Sequence, residues 1–248
     1  MPDFSKRSCS REIMDDLEYS GEMMDQTLHE LEVINRLLGG NAVTLNALET
    51  MVKDNQRSYQ ISDLGCGRGD MLQLIERWAS KKNIDVKLCG VDANAYIIEK
   101  AGVNLKEHPG IELLGMNIMS QEFQRRQFDI VIGTLFYHHF TNDELIRFFS
   151  NIRSQVRIGL IINDIHRHPL AYYAIKLLTK FFSASSMVKF DAPLSVLRAF
   201  KRSELIYILK QSGFTNFQIR WRWAFRWQVL VAVNTNGPGS LKGRNDLQ

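Results

Sequence analysis

The stretch Ile61-Ser62-Asp63-Leu64-Gly65-Cys66-Gly67-Arg68-Gly69-Asp70 decides how this chain folds. It joins a β-type run, Tyr59 to Leu64, to a helical run, Met71 to Trp78. An acidic residue stands near the strand end, and three glycines alternate through the turn. Glycine lets the backbone turn sharply there and lets a ligand approach with no Cβ in the way. A strand, a glycine-rich turn and a helix make the opening unit of a nucleotide-binding α/β domain. The spacing matters more than the glycines themselves. The pyrophosphate fingerprint is G-x-G-x-x-G, whereas this turn reads D-x-G-x-G-x-G. One residue fewer between the last two glycines, with an acid ahead of them, points away from a dinucleotide. The P-loop pattern G-x-x-x-x-G-K-[ST] is absent.

Outward from this turn, strands and helices alternate. Val86 to Asp92 reads as a strand ending in an acid, Ala93 to Leu105 as a helix, and Ile111 to Asn117 as a third strand. Phe128 to Leu135 is almost continuously apolar, as a doubly covered central strand should be. A helix over Asn142–Gln155 and a strand over Arg157–Asn163 follow. Strands alternating with helices imply a parallel sheet with right-handed crossovers. Pro169 to Phe182 reads as a strongly apolar helix, Ser183 to Phe200 as an irregular insert, and Ser203 to Ser212 as a helix capped by Ser203. Phe217–Arg222 and Phe225–Asn234 read as a closing strand pair. Ahead of the core, Leu28, Leu31, Ile34, Leu37 and Leu38 form one helical stripe that ends at Gly39-Gly40, and Thr44 to Val52 reads as a second helix. The expected division is a helical cap over 1–57, the α/β domain over 58–235 with a lid insert at about 166–200, and a flexible tail over 236–248.

Composition narrows the partners. With 31 basic and 27 acidic residues among 248, net charge is only +4, and no basic stripe of the kind that binds nucleic acid stands out. The three cysteines form no paired or metal-ligand spacing, so no metal is expected and a reducing cytoplasm fits best. No run of about eighteen apolar residues suggests a membrane span. Oligomeric state is not legible.

The stretch Asp63-Leu64-Gly65-Cys66-Gly67-Arg68-Gly69 resembles the first motif of class I S-adenosylmethionine (SAM) dependent methyltransferases. The resemblance runs over roughly Tyr59 to Asn234. It implies an α/β, Rossmann-like, doubly wound and mostly parallel seven-stranded sheet with a C-terminal antiparallel hairpin. SAM carries a sulfonium, an adenosine and an amino-acid end. On that reading Asp63 orients the loop or meets the methionine ammonium, and Gly65 and Gly67 allow close backbone approach. Asp92 takes both ribose hydroxyls. Asn117, where the family often has Asp, reaches the adenine amine; Ala93 and Ile118 flank the ring; Thr134 offers a carbonyl to the ammonium. Each has an ordinary alternative in capping or packing.

The fourth strand runs into Gly133-Thr134-Leu135-Phe136-Tyr137-His138-His139-Phe140, similar to the paired-His form of many small-molecule methyltransferases. It is neither the [DNS]-P-P-[YFW] of amino-group methyltransferases nor the Pro-Cys of cytosine carbon methyltransferases. His138 is therefore a candidate facing the acceptor. His166, in Asn163-Asp164-Ile165-His166, is a candidate general base, with Asp164 fixing its tautomer or capping the next helix. Tyr172, Tyr173, Phe181, Phe182, Met187 and Phe190 are expected to wall a lid over an apolar acceptor. The run Glu32–Gly40, Asn163-Asp164 and the run Asp191–Phe200 together resemble bacterial methyltransferases of polyketide and aryl-polyene pathways. The expected activity is methyl transfer to a small, largely apolar acceptor, with a phenolic or polyketide-type hydroxyl ahead of carbon. The alternatives are an RNA or protein methyltransferase using Arg220 to Trp227 as a contact surface, or a SAM-binding module without transfer activity.

Overall fold

The run Phe128 to Ile132 is apolar but for Asp129 because none of it meets water; it lies in the middle of a seven-stranded sheet. The computed structural model describes residues 2–233. Helices α1 (Glu22–Leu37) and α2 (Gly40–Met51) come first. Then follow β1 (Ser58–Leu64), α3 (Asp70–Lys82), β2 (Asp85–Asp92), α4 (Ala95–Asn104), β3 (Ile111–Gly115), α5 (Gln121–Gln124), β4 (Phe128–Thr134), α6 (Asn142–Ile152) and β5 (Val156–Ile165). The chain closes with α7 (Pro169–Phe182), α8 (Ser186–Arg198), α9 (Arg202–Gln211), β6 (Phe217–Arg222) and β7 (Arg226–Ala232).

The strand order is β3-β2-β1-β4-β5-β7-β6. Strands β1 to β5 are parallel, and β7 runs antiparallel to both β5 and β6. The order reverses between β1 and β4, so their carboxyl ends open a crevice, as at the ligand-binding switch point of open α/β sheets. Two apolar layers cover the sheet. One gathers Phe148, Phe149, Leu205 and Leu209 against Val131 and Leu160. The other gathers Leu48, Met51, Leu72 and Ile75 against Ile61, Ile130 and Ile161. The second layer includes α2, which lies against β5 and β7.

Close approach explains one glycine. A Cβ on Gly159 in β5 would collide with the Val231 carbonyl oxygen and the Met51 methyl. A backbone carbonyl in a ladder cannot step aside. Gly159→Ala should therefore cost about 2 kcal/mol or more in urea unfolding; an unchanged midpoint would refute this tight β5–β7 contact.

The insert is more regular than its sequence suggests. Residues 186–198 form helix α8 despite Pro193. Ser185 caps it by accepting the Val188 N–H at 3.2 Å, and Met187, Val188, Ala192 and Val196 bury one side. That packing outweighs the amide lost at proline. Helix α9 is capped at Lys201 rather than Ser203, because the Glu204 carboxylate accepts the Lys201 N–H at 2.7 Å. Helix α2 starts at Gly40, earlier than Thr44, with Gly39 in the left-handed region at φ 72°. Of the stripe expected on the first helix, Leu28 is buried whereas Leu37 is exposed. The expected tail at 236–248 and the last residue of the final strand lie outside the described residues. Among the described residues, no helix is long and apolar enough to cross a membrane.

Candidate functional site

The glycine turn folds onto the end of β2. The Gly65 and Cys66 N–H groups both donate to the Val91 carbonyl, at 2.8 and 3.2 Å, and Gly69 N–H donates to Cys66 O at 2.9 Å. Gly65, Gly67 and Gly69 all have positive φ, 65°, 53° and 81°. A side chain at Gly65 would meet the Phe136 ring, while a Cβ on Gly67 would point into open space.

Asp63 sits at the end of β1 beneath this turn. It is buried, and its Oδ1 has no hydrogen-bond partner. Burial, reinforced by Asp92 and Asp70, pushes its carboxyl up to about 8. A buried carboxyl so placed lacks a counter-charge. Asp92 ends β2 and is partly exposed. Its carboxylate accepts N–H groups from Asn94, Gly67 and Ala93. Burial nevertheless leaves it above the usual carboxylate range. Asn94, buried, caps α4 through Tyr96 and Ile97 N–H and donates to the Tyr19 carbonyl, which ties the N-terminal segment over this end.

The third corner follows β3. Met116 N–H donates to Asp92 O at 2.9 Å, and Asn117 Oδ1 accepts Met119 N–H at 2.8 Å. Asn117 is exposed, Ala93 partly exposed and Ile118 buried. At the end of β4, Thr134 Oγ1 pairs with Thr44 Oγ1 of α2 at 3.0 Å. Leu135 follows in the left-handed region at φ 54°, held there by its N–H donating to Asn163 O at 2.8 Å. A leucine there costs about 1 kcal/mol, a strain that clusters at ligand sites.

His138 and His139 lie on a short 3-10 turn after β4. His138 is buried. Its Nδ1 is 2.7 Å from Asp164 Oδ1, and its backbone N–H donates to Asp164 Oδ2 at 3.1 Å. Burial alone would raise the Asp164 carboxyl; the His138 imidazole and the Ile165 N–H hold it below its ordinary value. Asp164 thus serves His138 rather than His166, because β4 and β5 are hydrogen-bonded neighbours. The other nitrogen, His138 Nε2, lies 3.8 Å from Glu12 Oε1. His139 Nδ1 is 2.6 Å from Asp15, which also pairs with Arg198.

Glu12 and Asp15, with Arg7 and Arg198, are site residues that sequence reasoning missed. Glu12 is buried and its Oε1 lacks a hydrogen bond, although Ser195 donates to Oε2 at 2.8 Å. Burial pushes this carboxyl up to about 7, against the pull of His139 and Arg198. The Glu12, His138 and His139 donor atoms lie within 4.8 Å of one another. Arg198 lies 3.6 Å from Glu12 Oε1. Arg7 donates to the His138 and Phe140 carbonyls at 3.0 and 2.8 Å, strapping the N-terminal segment across the turn. No local pattern marks these residues, since their partners at the two histidines lie 59 or more positions away.

His166 stands elsewhere. Its backbone N–H donates to Phe225 O, and its ring packs 4.8 Å from Trp227. With His168, Phe4, Lys201 and Arg202 it lines an open cleft of about 820 Å³, to which the glycine turn contributes nothing. Burial, with help from His168 and Arg167, lowers its pKa to about 4. The imidazole is therefore neutral at pH 7 and a weak base. The expected lid wall is also rearranged: Met187 is buried, but Tyr173, Phe181, Phe182 and Phe190 face outward.

Comparison with known proteins agrees with this architecture. Residues 61–159 match the family model described as a methyltransferase domain. No protein of curated function matches significantly. Among solved structures, the plantazolicin methyltransferase BpumL in complex with SAH is similar at TM-score 0.61 and 14% identity, over 85% of this chain and 88% of that one. A candidate O-methyltransferase of Nostoc punctiforme PCC 73102 aligns at TM-score 0.55 and 15% identity over 83% of this chain, and the citrinin polyketide synthase CMeT domain at 0.56 and 14% over 76%. The chain spans only 59% and 50% of the length of those last two. Strand order, the glycine turn beside the two acids and the match over residues 61–159 converge: the chain carries a methyltransferase-domain match on an α/β, Rossmann-like methyltransferase fold.

Proposed function

We propose that the chain transfers the methyl group of SAM to a hydroxyl of a small, largely apolar acceptor of phenolic or polyketide type. Two buried carboxyls in opposite states support this reading. Asp63 is kept protonated without a partner beside the glycine turn, whereas Asp164 is kept ionised against His138. Environments that push two carboxyls apart in this way divide a site into roles.

SAM supplies an activated methyl carbon, which an aligned nucleophile attacks in line. Asp63 offers the missing counter-charge to the cofactor's ammonium, and Thr134 adds its carbonyl. Asp92 accepts the ribose hydroxyls through oxygens already oriented by the Gly67 and Asn94 N–H groups. Asn117 keeps one acceptor site for the adenine amine beside its Met119 bond, and Ala93 and Ile118 flank the ring. His138, donating Nδ1–H to Asp164, presents a basic Nε2 that takes the acceptor's proton. Glu12 covers that nitrogen at 3.8 Å, so an acceptor reaches it only in Glu12's place. His166, neutral and weakly basic, lines the separate open cleft.

Calorimetric titration with SAM tests the cofactor assignment. Asp92→Ala should bind at least tenfold more weakly, about 1.5 kcal/mol, with its urea midpoint as the control for folding. A phenolic acceptor panel followed by mass spectrometry should then show the gain of one methyl. Unchanged SAM affinity in the variant would overturn the Asp92 role. SAM binding with no acceptor methylated would favour a binding module, and salt-dependent RNA binding would favour an RNA methyltransferase.

A further inference from the structure

Helix α7 is apolar on both sides. Ala171 and Thr179 face the protein and are buried. Leu170, Tyr173, Leu177 and Phe181, spaced by three and four residues, form a second stripe on the opposite side. Together with Phe182, the last residue of α7, and Phe190 of α8, they are 52 to 84% exposed. Single exposed apolar residues are ordinary, but six grouped on adjoining helices mark an interaction surface.

Along α7 and into the start of α8 the charges have one sign. Between Asp164 and Asp191 the sequence holds no Asp or Glu, while Lys176, Lys180 and Lys189 are exposed. Lys180 Nζ lies 5.6 Å over the Phe181 ring and Lys176 Nζ 5.7 Å over that of Tyr172, so cations sit beside the apolar face. The carboxylate at the α7–α8 turn is Glu30 of α1, and it is spent on Ser183 and the Ala184 and Ser185 N–H groups. A second copy of the chain would set these lysines against their own kind. An anionic lipid surface matches both the apolar stripe and the lysines.

We propose that α7 is a membrane-docking helix whose outer face seats the chain on an anionic bilayer. At 14 residues it lies in the interface and cannot span it. It starts four residues after β5 and so brings the carboxyl ends of the strands near the lipid. The surface stands independently of which acceptor is methylated.

Vesicle sedimentation of the full chain tests this. Phosphatidylcholine vesicles containing about 30% phosphatidylglycerol should pellet the protein, and pure phosphatidylcholine should pellet far less. Leu177→Asp with Phe181→Asp should cut partitioning at least about tenfold, and Lys176→Glu with Lys180→Glu about tenfold with loss of salt sensitivity. These outward positions should leave the melting temperature unchanged, which separates docking from folding. Failure of the wild type to pellet with anionic vesicles would overturn the proposal, as would partitioning indifferent to both double variants. A lipid-free dimer dissolved by Leu177→Asp, without vesicle binding, would assign the face to a second copy instead.

Discussion

Asp63→Asn should abolish measurable SAM binding while making the free protein more stable. Both effects follow from one buried carboxyl with a pKa raised to about 8 and an unpartnered oxygen. In the unfolded chain the group ionises near the ordinary aspartate value of 3.8. Between those values the folded state holds a proton that the unfolded state has lost. Stability without cofactor is therefore untouched by this group below about pH 4, falls as pH rises, and levels off above about pH 8. Asparagine removes the titration, so the variant should gain on the order of 3 kcal/mol over wild type at pH 8 and much less at pH 5. Urea unfolding at both pH values reads the difference. Cofactor affinity should drop at least about a hundredfold, the scale of a lost charge-assisted contact. In the wild type at pH 7, binding should release close to one proton as Asp63 ionises against the ammonium, seen by titration in buffers of different ionisation enthalpy. A variant that binds SAM normally, or a stability difference independent of pH, would remove Asp63 from the cofactor site.

Asp164→Asn should lower turnover on any acceptor the wild type methylates by about a hundredfold or more, with SAM affinity within twofold. Asn can donate to His138 Nδ1, which moves the imidazole proton to Nε2 and removes the basic lone pair there. Nitrogen-15 spectra of the histidine ring should report that tautomer change. Asp164→Ala should do more. It leaves the buried His138 and Arg226 groups without their carboxylate and should cost about 3 kcal/mol of stability. His166→Ala should reduce turnover far less, because an imidazole lowered to about 4 is already a poor base. Turnover of Asp164→Asn within threefold of wild type would exclude His138 as the base.

Much of the fold was legible from periodicity. The five parallel strands and the closing pair fall within two residues of their expected bounds because each is a short apolar or alternating run between turn signals. Helix α8 was not legible, since Pro193 argues against a helix locally and only burial against α1 and α7 favours one. The glycine turn, Asp63 and Asp92 were legible because one strand-turn-helix unit and the next strand end carry them. Glu12, Asp15, Arg7 and Arg198 were not. Arg7 and Arg198 hold the His138 carbonyl from both ends of the chain, and no short stretch records that meeting.

Local patterns in the chain set the sheet, the glycine turn and the acids near the ends of β1 and β2, because backbone conformation and alternation of burial are local properties. Tertiary structure alone decided what each ionisable group does. Asp164 pairs with His138 across adjacent strands, His166 turns toward Trp227 and loses its basicity, and the aromatic run after β5 faces outward. Desolvation and charge pairing depend on neighbours distant in the chain, and those neighbours assign the roles.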